Sequence, residues 1–260
     1  MTPNRTSMGL MNQVTDAETA DSQWKSLYRI GGAAALIATV LFLSDIIVLT
    51  TLGSTPGTAS GWFTLLQNNK VVGLLQLFFS DLIGLALMFP IIFSLYAALR
   101  RTNRAYSALA TALAFVGIAI VFATNTNYSM IYLSNQFAAA TTEVQRSQLL
   151  ATGESLLATS MWGTGSIMAG FLLEGALVII SVVMLPGNIF SKGTAYIGIL
   201  AHGLDLAHSI VFLVFIPIFN PDLALTIGIP LLAIGGSLQL IWYILVARRL
   251  FQLGQGISKE

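Results

Sequence analysis

The chain has no cysteine, which excludes disulfides, thiolate metal sites and a cysteine nucleophile but leaves the compartment open. Charge is scarce too. Asp, Glu, Lys and Arg make up 9% of the 260 residues, where soluble domains carry about 25%. The formal net charge is +1, so there is no basic surface to neutralise a run of phosphates, and a nucleic-acid partner is not expected. Histidine occurs twice, at His202 and His208, both within one apolar stretch that contains no Lys or Arg. Residues 1–23 hold no apolar core followed by a small-residue cleavage site, so a signal peptide is not expected there.

What the chain has in quantity is hydrocarbon. Hydrophobic residues make up 55% of it and the mean hydropathy is +0.80, so lipid is its solvent. Six runs, at about 27–51, 72–99, 105–127, 162–185, 194–216 and 223–247, reach the ~20 residues needed to cross the hydrocarbon as helix. They are twice as long as a barrel strand and lack its alternation, which leaves the helix as the spanning form. The expected fold is therefore all-α, a polytopic bundle of six transmembrane helices over 27–250. A flexible tail (1–26) precedes it and a short one (251–260) follows.

Basic residues give the orientation. With the N-terminus inside, ten fall on the cytoplasmic side, among them Lys25, Arg29, Arg100, Arg101, Arg104, Lys192, Arg248 and Arg249, and only Lys70 and Arg146 fall outside. This predicts both termini in the cytoplasm and a multi-pass protein of the cell (inner) membrane. Trp24, Lys25, Tyr28 and Arg29 form an interfacial collar before the first span. Pro90 and Pro230 are expected to kink the second and sixth spans, and Pro217 and Pro221 to close the fifth and the turn after it. Two outer segments are longer than turns. The one holding Trp62, Phe63, Leu65 and Leu66 reads as a short interfacial helix, and 141–160 as a solvated amphipathic helix capping the bundle, against a gating lid. Asn127-Tyr128-Ser129 is an accidental glycosylation sequon beside the membrane.

The polar residues inside the spans carry whatever chemistry there is: Asp45, Asp81, Glu174, His202, Asp205 and His208, with Asn125, Gln76 and Gln239 as neutral company. A carboxylate facing lipid costs ~2.5–3.5 kcal/mol, so four would cost about 10–14 kcal/mol, comparable to the stability of a whole domain. They must therefore be buried, shared, protonated or bound to a cation. Small residues mark the faces on which helices approach one another. Asp45 shares a face with Gly31, Ala34 and Ala38, and Glu174 with Gly163, Gly170 and Ser181. Gly198, His202, Asp205 and Ser209 share a third face, and Gly228, Gly235 and Gln239 a fourth. The pattern Phe-x-Ser-Asp-aliphatic-Ile occurs at 42–47 and again at 78–83, in helices of opposite direction. Inverted-repeat ancestry and chance both account for it.

Three readings of function follow. A satisfied buried carboxylate/histidine network could serve a structural, assembly or sensory role. A cavity lined by these groups would suit a proton- or cation-linked transporter or channel. A zinc ion on His202, Asp205, His208 and Glu174 would make a metal-dependent intramembrane hydrolase. Spacing weakens the last, because His202 and His208 lie six apart, ~9 Å along a helix axis and ~120° around it, an awkward pair for one ion with bonds near ~2 Å. Zinc is the one cofactor the donors admit; haem and nucleotide are not expected. Partners are the lipid bilayer and, left open, a second copy of the chain and a small ion or lipid ligand.

The plan across 27–250, the charged turn Leu99-Arg100-Arg101-Thr102-Asn103-Arg104, and the run from Leu185-Pro186-Gly187 through Lys192-Gly193 to Ile197-Gly198-Ile199-Leu200 resemble the uncharacterised bacterial six-helix membrane proteins grouped as domain-of-unknown-function family 4386. The resemblance implies fold and location and carries no activity or site residues; the two histidines stand outside it.

Overall fold

The computed structural model describes the backbone of residues 5–77, 79–218 and 221–256, with side chains except at 5–22, 161–162, 164, 166, 212 and 214–225. Every regular element among the described residues is helical: α1 (Arg5–Leu52), α2 (Ala59–Asn68), α3 (Lys70–Gln76), α4 (Phe79–Leu99), α5 (Arg104–Thr124), α6 (Asn127–Ala139), α7 (Glu143–Trp162), α8 (Thr164–Met184), α9 (Lys192–Ile218) and α10 (Pro221–Gln255). Among the described residues, five stretches are long and apolar enough to cross a membrane: Gln23–Leu52, Lys70–Leu99, Arg104–Ala139, Ile167–Met184 and Thr226–Gln255. The chain is a helical integral membrane protein. The sixth expected span, 194–216, falls on α9, where some of the side chains lie outside the described residues.

Six helices form a closed ring in chain order. α1 packs on α4, α4 on α5, α5 on α8, α8 on α9, α9 on α10, and α10 returns to α1, with α4 touching α8 across the ring. Small residues make these approaches possible, as their positions predict. Ala34, Ala35 and Ala38 of α1 are buried, and Gly31 lies directly against Ser94 and the Pro90 carbonyl of α4. Ile91, Leu95, Ile118, Leu177, Ile180 and Trp242 fill the interior. The outside is equally apolar, with Ile30, Val40, Ile83, Val116, Leu200 and Ile229 exposed. Burial thus distinguishes protein-facing from lipid-facing hydrocarbon, where in a soluble bundle it would separate apolar from polar.

A second apolar core sits at one end of the ring. α2, α6 and α7 pack together around Trp62, Phe63, Leu66, Met130 and Leu133. Polar ties join them: Glu154 Oε1 of α7 accepts the Ala59 N–H at 2.8 Å, and Gln67 Nε2 of α2 donates to the Ser134 carbonyl at 2.7 Å. Thr142 caps α7 by accepting from the Gln145 N–H at 3.2 Å. The two outer segments therefore fold against each other as a cap. Its third member, α6, falls in a stretch where no helix was expected.

Several boundaries differ from the sequence reading. The span expected at 72–99 is two helices, α3 and α4, and Asn127 Nδ2 satisfies the Leu77 carbonyl at their junction, 2.7 Å away. That bond occupies the sequon asparagine. The span expected at 105–127 ends at Thr124, because Asn125 adopts an extended backbone and its Oδ1 accepts the Asn127 N–H at 3.1 Å. A short polar side chain competes here with the helical ladder. Helix α9 runs through Pro217, and Pro221 opens α10 rather than closing a turn. Pro is tolerated at a first helical position because its missing N–H would have no partner there. Pro90 and Pro230 lie inside continuous helices. Helix α1 starts at Arg5 and α10 reaches Gln255, where Arg29 Nε donates to the Gly254 carbonyl at 3.1 Å. The collar is also built as an inter-helix contact, since the Arg100 guanidinium stacks 4.6 Å over the Trp24 ring.

Candidate functional site

Residues of α1, α4, α5, α8 and α10 line a partly open cavity of about 340 Å³. Asp45, Ser80, Asp81, Asn125, Gln239 and Tyr243 supply its polar wall, and Phe42, Leu85, Met88, Val121 and Leu173 much of the rest. The Ser80 hydroxyl donates to Asp45 Oδ1, and the Asp81 carboxyl is close enough to Asp45 to interact with it electrostatically. The Ser-Asp pairs of the two copies, on α1 and α4, thus meet, with Ser80 of one on Asp45 of the other. Sequence spacing alone puts each serine on a different side from its neighbouring aspartate and hides this cross-helix pairing. Ser44, the counterpart of Ser80, donates instead to the Leu41 carbonyl at 2.6 Å.

A second polar group lies behind the cavity wall. Gln239, only 8% exposed, lines the cavity while its Nε2 donates to Asp205 Oδ2 at 2.5 Å. Asp205 is close enough to Glu174 and His202 to interact with both electrostatically. His202 Nδ1 sits 2.8 Å from Glu174 Oε2, with the histidine side chain fully buried and the glutamate 16% exposed. The imidazole stands edge-on to Trp242, ring centres 4.8 Å apart. His202 Nε2, Trp242 Nε1, Ser181 Oγ and Asp205 Oδ1 are all buried without a hydrogen-bond partner. Sequence reasoning missed Ser80, Trp242 and Tyr243. An amphipathic aromatic about one helical turn from Gln239 was the available signal for the last two, since a buried Trp or Tyr needs somewhere for its N–H or O–H. The Tyr243 hydroxyl donates to Met88 Sδ at 3.4 Å.

The remaining expected members go elsewhere. His208 Nδ1 lies 3.0 Å from the Gly228 carbonyl, joining α9 to α10. Gln76, buried, donates to the carbonyls of Leu52 and Gly53 at 3.3 and 3.2 Å. It thereby satisfies the end of α1, where Gly53 takes a positive φ of 81°. Gln76 faces a neighbouring cavity of about 380 Å³ between ring and cap, and Asp81 and Asn125 line both cavities. The four-residue zinc set is not assembled: with His208 turned to Gly228, no three His, Asp or Glu side chains converge on a metal position among the described residues. The structure thus brings together Asp45 with Asp81, and His202 with Glu174 and Asp205, in two groups bridged by Gln239. No protein-family model, curated protein or solved structure matches the chain.

Proposed function

We propose that this membrane protein is a proton- or cation-linked transporter whose central cavity binds the transported cation at Asp45 and Asp81. The observation that carries the reading is the convergence of two carboxyl groups from different helices on one cavity inside a ring of apolar helices. Carboxyls kept within hydrocarbon are costly unless they serve a path or a site. A purely structural network would need no cavity beside it. The carboxylates behind Gln239 give a second place for a proton, adjoining the first without sharing its space.

The same proposal takes α9 as the sixth span. It has 27 residues, ~40 Å at ~1.5 Å per residue, and it packs between α8 and α10 in the ring, which argues for the same depth as its neighbours. The ten-to-two split of basic residues then puts both termini in the cytoplasm, the cap outside, and the protein in the cell membrane. Membership of family 4386 belongs to this proposal too, supported by the six-helix plan and the tight turn at 99–104, where the Thr102 and Asn103 N–H groups both donate to the Leu99 carbonyl.

The test is flux in liposomes holding the full chain, with a pH-sensitive dye inside and proton, sodium or potassium gradients imposed. Asp45→Asn and Asp81→Asn are each expected to cut flux at least tenfold. Flux no greater than in protein-free liposomes, or flux equal to the unsubstituted protein's in both variants, sinks the reading.

A further inference from the structure

The chemistry of the cavity walls identifies what kind of cation fits, an inference that rests on the transport reading and sharpens it. A bare hard cation such as Ca²⁺ takes about 6–8 oxygen ligands at about 2.3–2.6 Å. The cavity does not gather such a shell: among the described residues no three His, Asp or Glu side chains are placed to hold one metal ion. Most of the wall is aliphatic or aromatic. At about 340 Å³ it is also far larger than one ion, and within the range of about 300–1,000 Å³ in which organic ligands are held.

Charge and shape agree. Asp45 and Asp81 are the acidic groups on the wall, and no Lys or Arg is among the lining residues. Phe42 and Tyr243 line it too, and aromatic rings attract ammonium and alkyl groups alike. Gln239, nine-tenths buried, has its amide nitrogen on Asp205, so its oxygen is the atom left to accept a hydrogen bond from a guest. Gly84 on the wall has open space where a Cβ would stand.

We propose that the cavity is a binding site for a small lipophilic ammonium ion, its charged head held by Asp45 and Asp81 and its apolar body lodged against Phe42, Leu85, Leu173 and Tyr243. The neighbouring cavity under the cap, sharing Asp81 and Asn125, is the side from which such a guest reaches the pair.

Three probes with one apolar body test this on the unsubstituted full chain in detergent or nanodiscs: 1-naphthylmethylamine as cation, 1-naphthylmethanol as neutral isostere and 1-naphthylacetate as anion. Calorimetric titration is expected to give the amine at least tenfold tighter binding than the alcohol and no measurable binding of the acetate. Leu173→Trp, which fills the cavity and leaves both carboxyls in place, is expected to weaken amine binding at least tenfold, and Asp45→Asn similarly. Equal binding of amine and alcohol, or amine binding indifferent to Leu173→Trp, overturns the inference. If proton or sodium flux depends on Asp45 and Asp81 while the amine neither binds nor competes, the ammonium assignment falls and the transport reading stands. If neither flux nor amine binding depends on them, both fall.

Discussion

The ring holds two acidic groups at membrane depth and treats them in opposite ways. On the α8–α9–α10 side, Glu174 meets a fully buried imidazole, and His202 is in turn pressed edge-on against Trp242. On the α1–α4 side, Asp45 meets another carboxyl and a serine, and all three face an open volume. One carboxyl has been given a partner that can carry the opposite charge; the other has been given space. Since burying a charge is tolerated only with a partner, a shared proton or a bound counter-ion, the first arrangement gives its carboxylate a basic partner, although His202 Nε2, Asp205 Oδ1, Ser181 Oγ and Trp242 Nε1 stay unpaired, and the second, on the proposed reading, leaves that place to a cation. Stability should therefore depend on the Glu174–His202 side and ligand or ion handling on the Asp45–Asp81 side.

The largest effect expected on that division is from His202→Ala. Removing one member of a buried pair leaves the other uncompensated, which costs about 3–5 kcal/mol, and the space left beside Trp242 adds to it. Thermal unfolding followed by tryptophan fluorescence in detergent should show a large loss of stability, whereas Asp45→Asn should change it by less than about 1 kcal/mol, because Ser80 can still donate to the retained amide oxygen. Equal destabilisation by the two would erase the contrast. A stable His202→Ala variant with abolished flux would reverse it, making the histidine the working group.

Glycine positions sharpen the same contrast with smaller effects. A Cβ on Gly198 would collide with Ser181 Oγ and Trp242 Nε1, so Gly198→Ala must push apart α8, α9 and α10, at about 1–3 kcal/mol for an overpacked core. On the cavity side, Gly84→Ala meets nothing within 4 Å. It is expected to leave unfolding unchanged or slightly improved, as Ala is the better helix former by about 0.8–1 kcal/mol, while narrowing the cavity. Denaturation midpoints of the two variants decide this, and a tolerated Gly198→Ala would mean that the α8–α9–α10 side is looser than its packing indicates.

How much of this was written in the sequence follows from which forces act within one helix and which between helices. Hydrophobic length and small-residue spacing are properties of single helices, so five of the expected spans and the faces bearing Ala34, Ala38, Gly235 and Gln239 were legible: Gly235 lies against Asp205, as its place on the Gln239 face implies. Partner identity is not such a property. His202 pairs with Glu174 on α8 instead of Asp205 one turn along its own helix, and Ser80 with Asp45 across the α1–α4 contact. Those choices depend on helix rotation and tilt, which residue spacing leaves free by tens of degrees. The breaks at Leu77 and Asn125 escaped because hydropathy persists through them: the bond at Asn125 is local and hidden by the apolar run, and the one at Leu77 comes from Asn127, brought there by the fold.

The smallest expected effect concerns the cap, which separates the cavity end of the ring from its surroundings. Glu154 Oε1 holds the first N–H of α2, a charge-assisted bond at a helix N-terminus where negative charge is favoured. Glu154→Gln keeps an acceptor but loses the charge, so unfolding of the whole chain should shift by under about 1 kcal/mol. Local opening is the more sensitive measure. Hydrogen exchange at the first turn of α2 should quicken severalfold in Glu154→Gln, and amides of α4 around Asp81 should quicken with it only if the cap controls access to the carboxyl pair. Faster exchange confined to α2 would instead make the cap a separate small core resting on the ring, and access to Asp45 and Asp81 would then have to run between the ring helices.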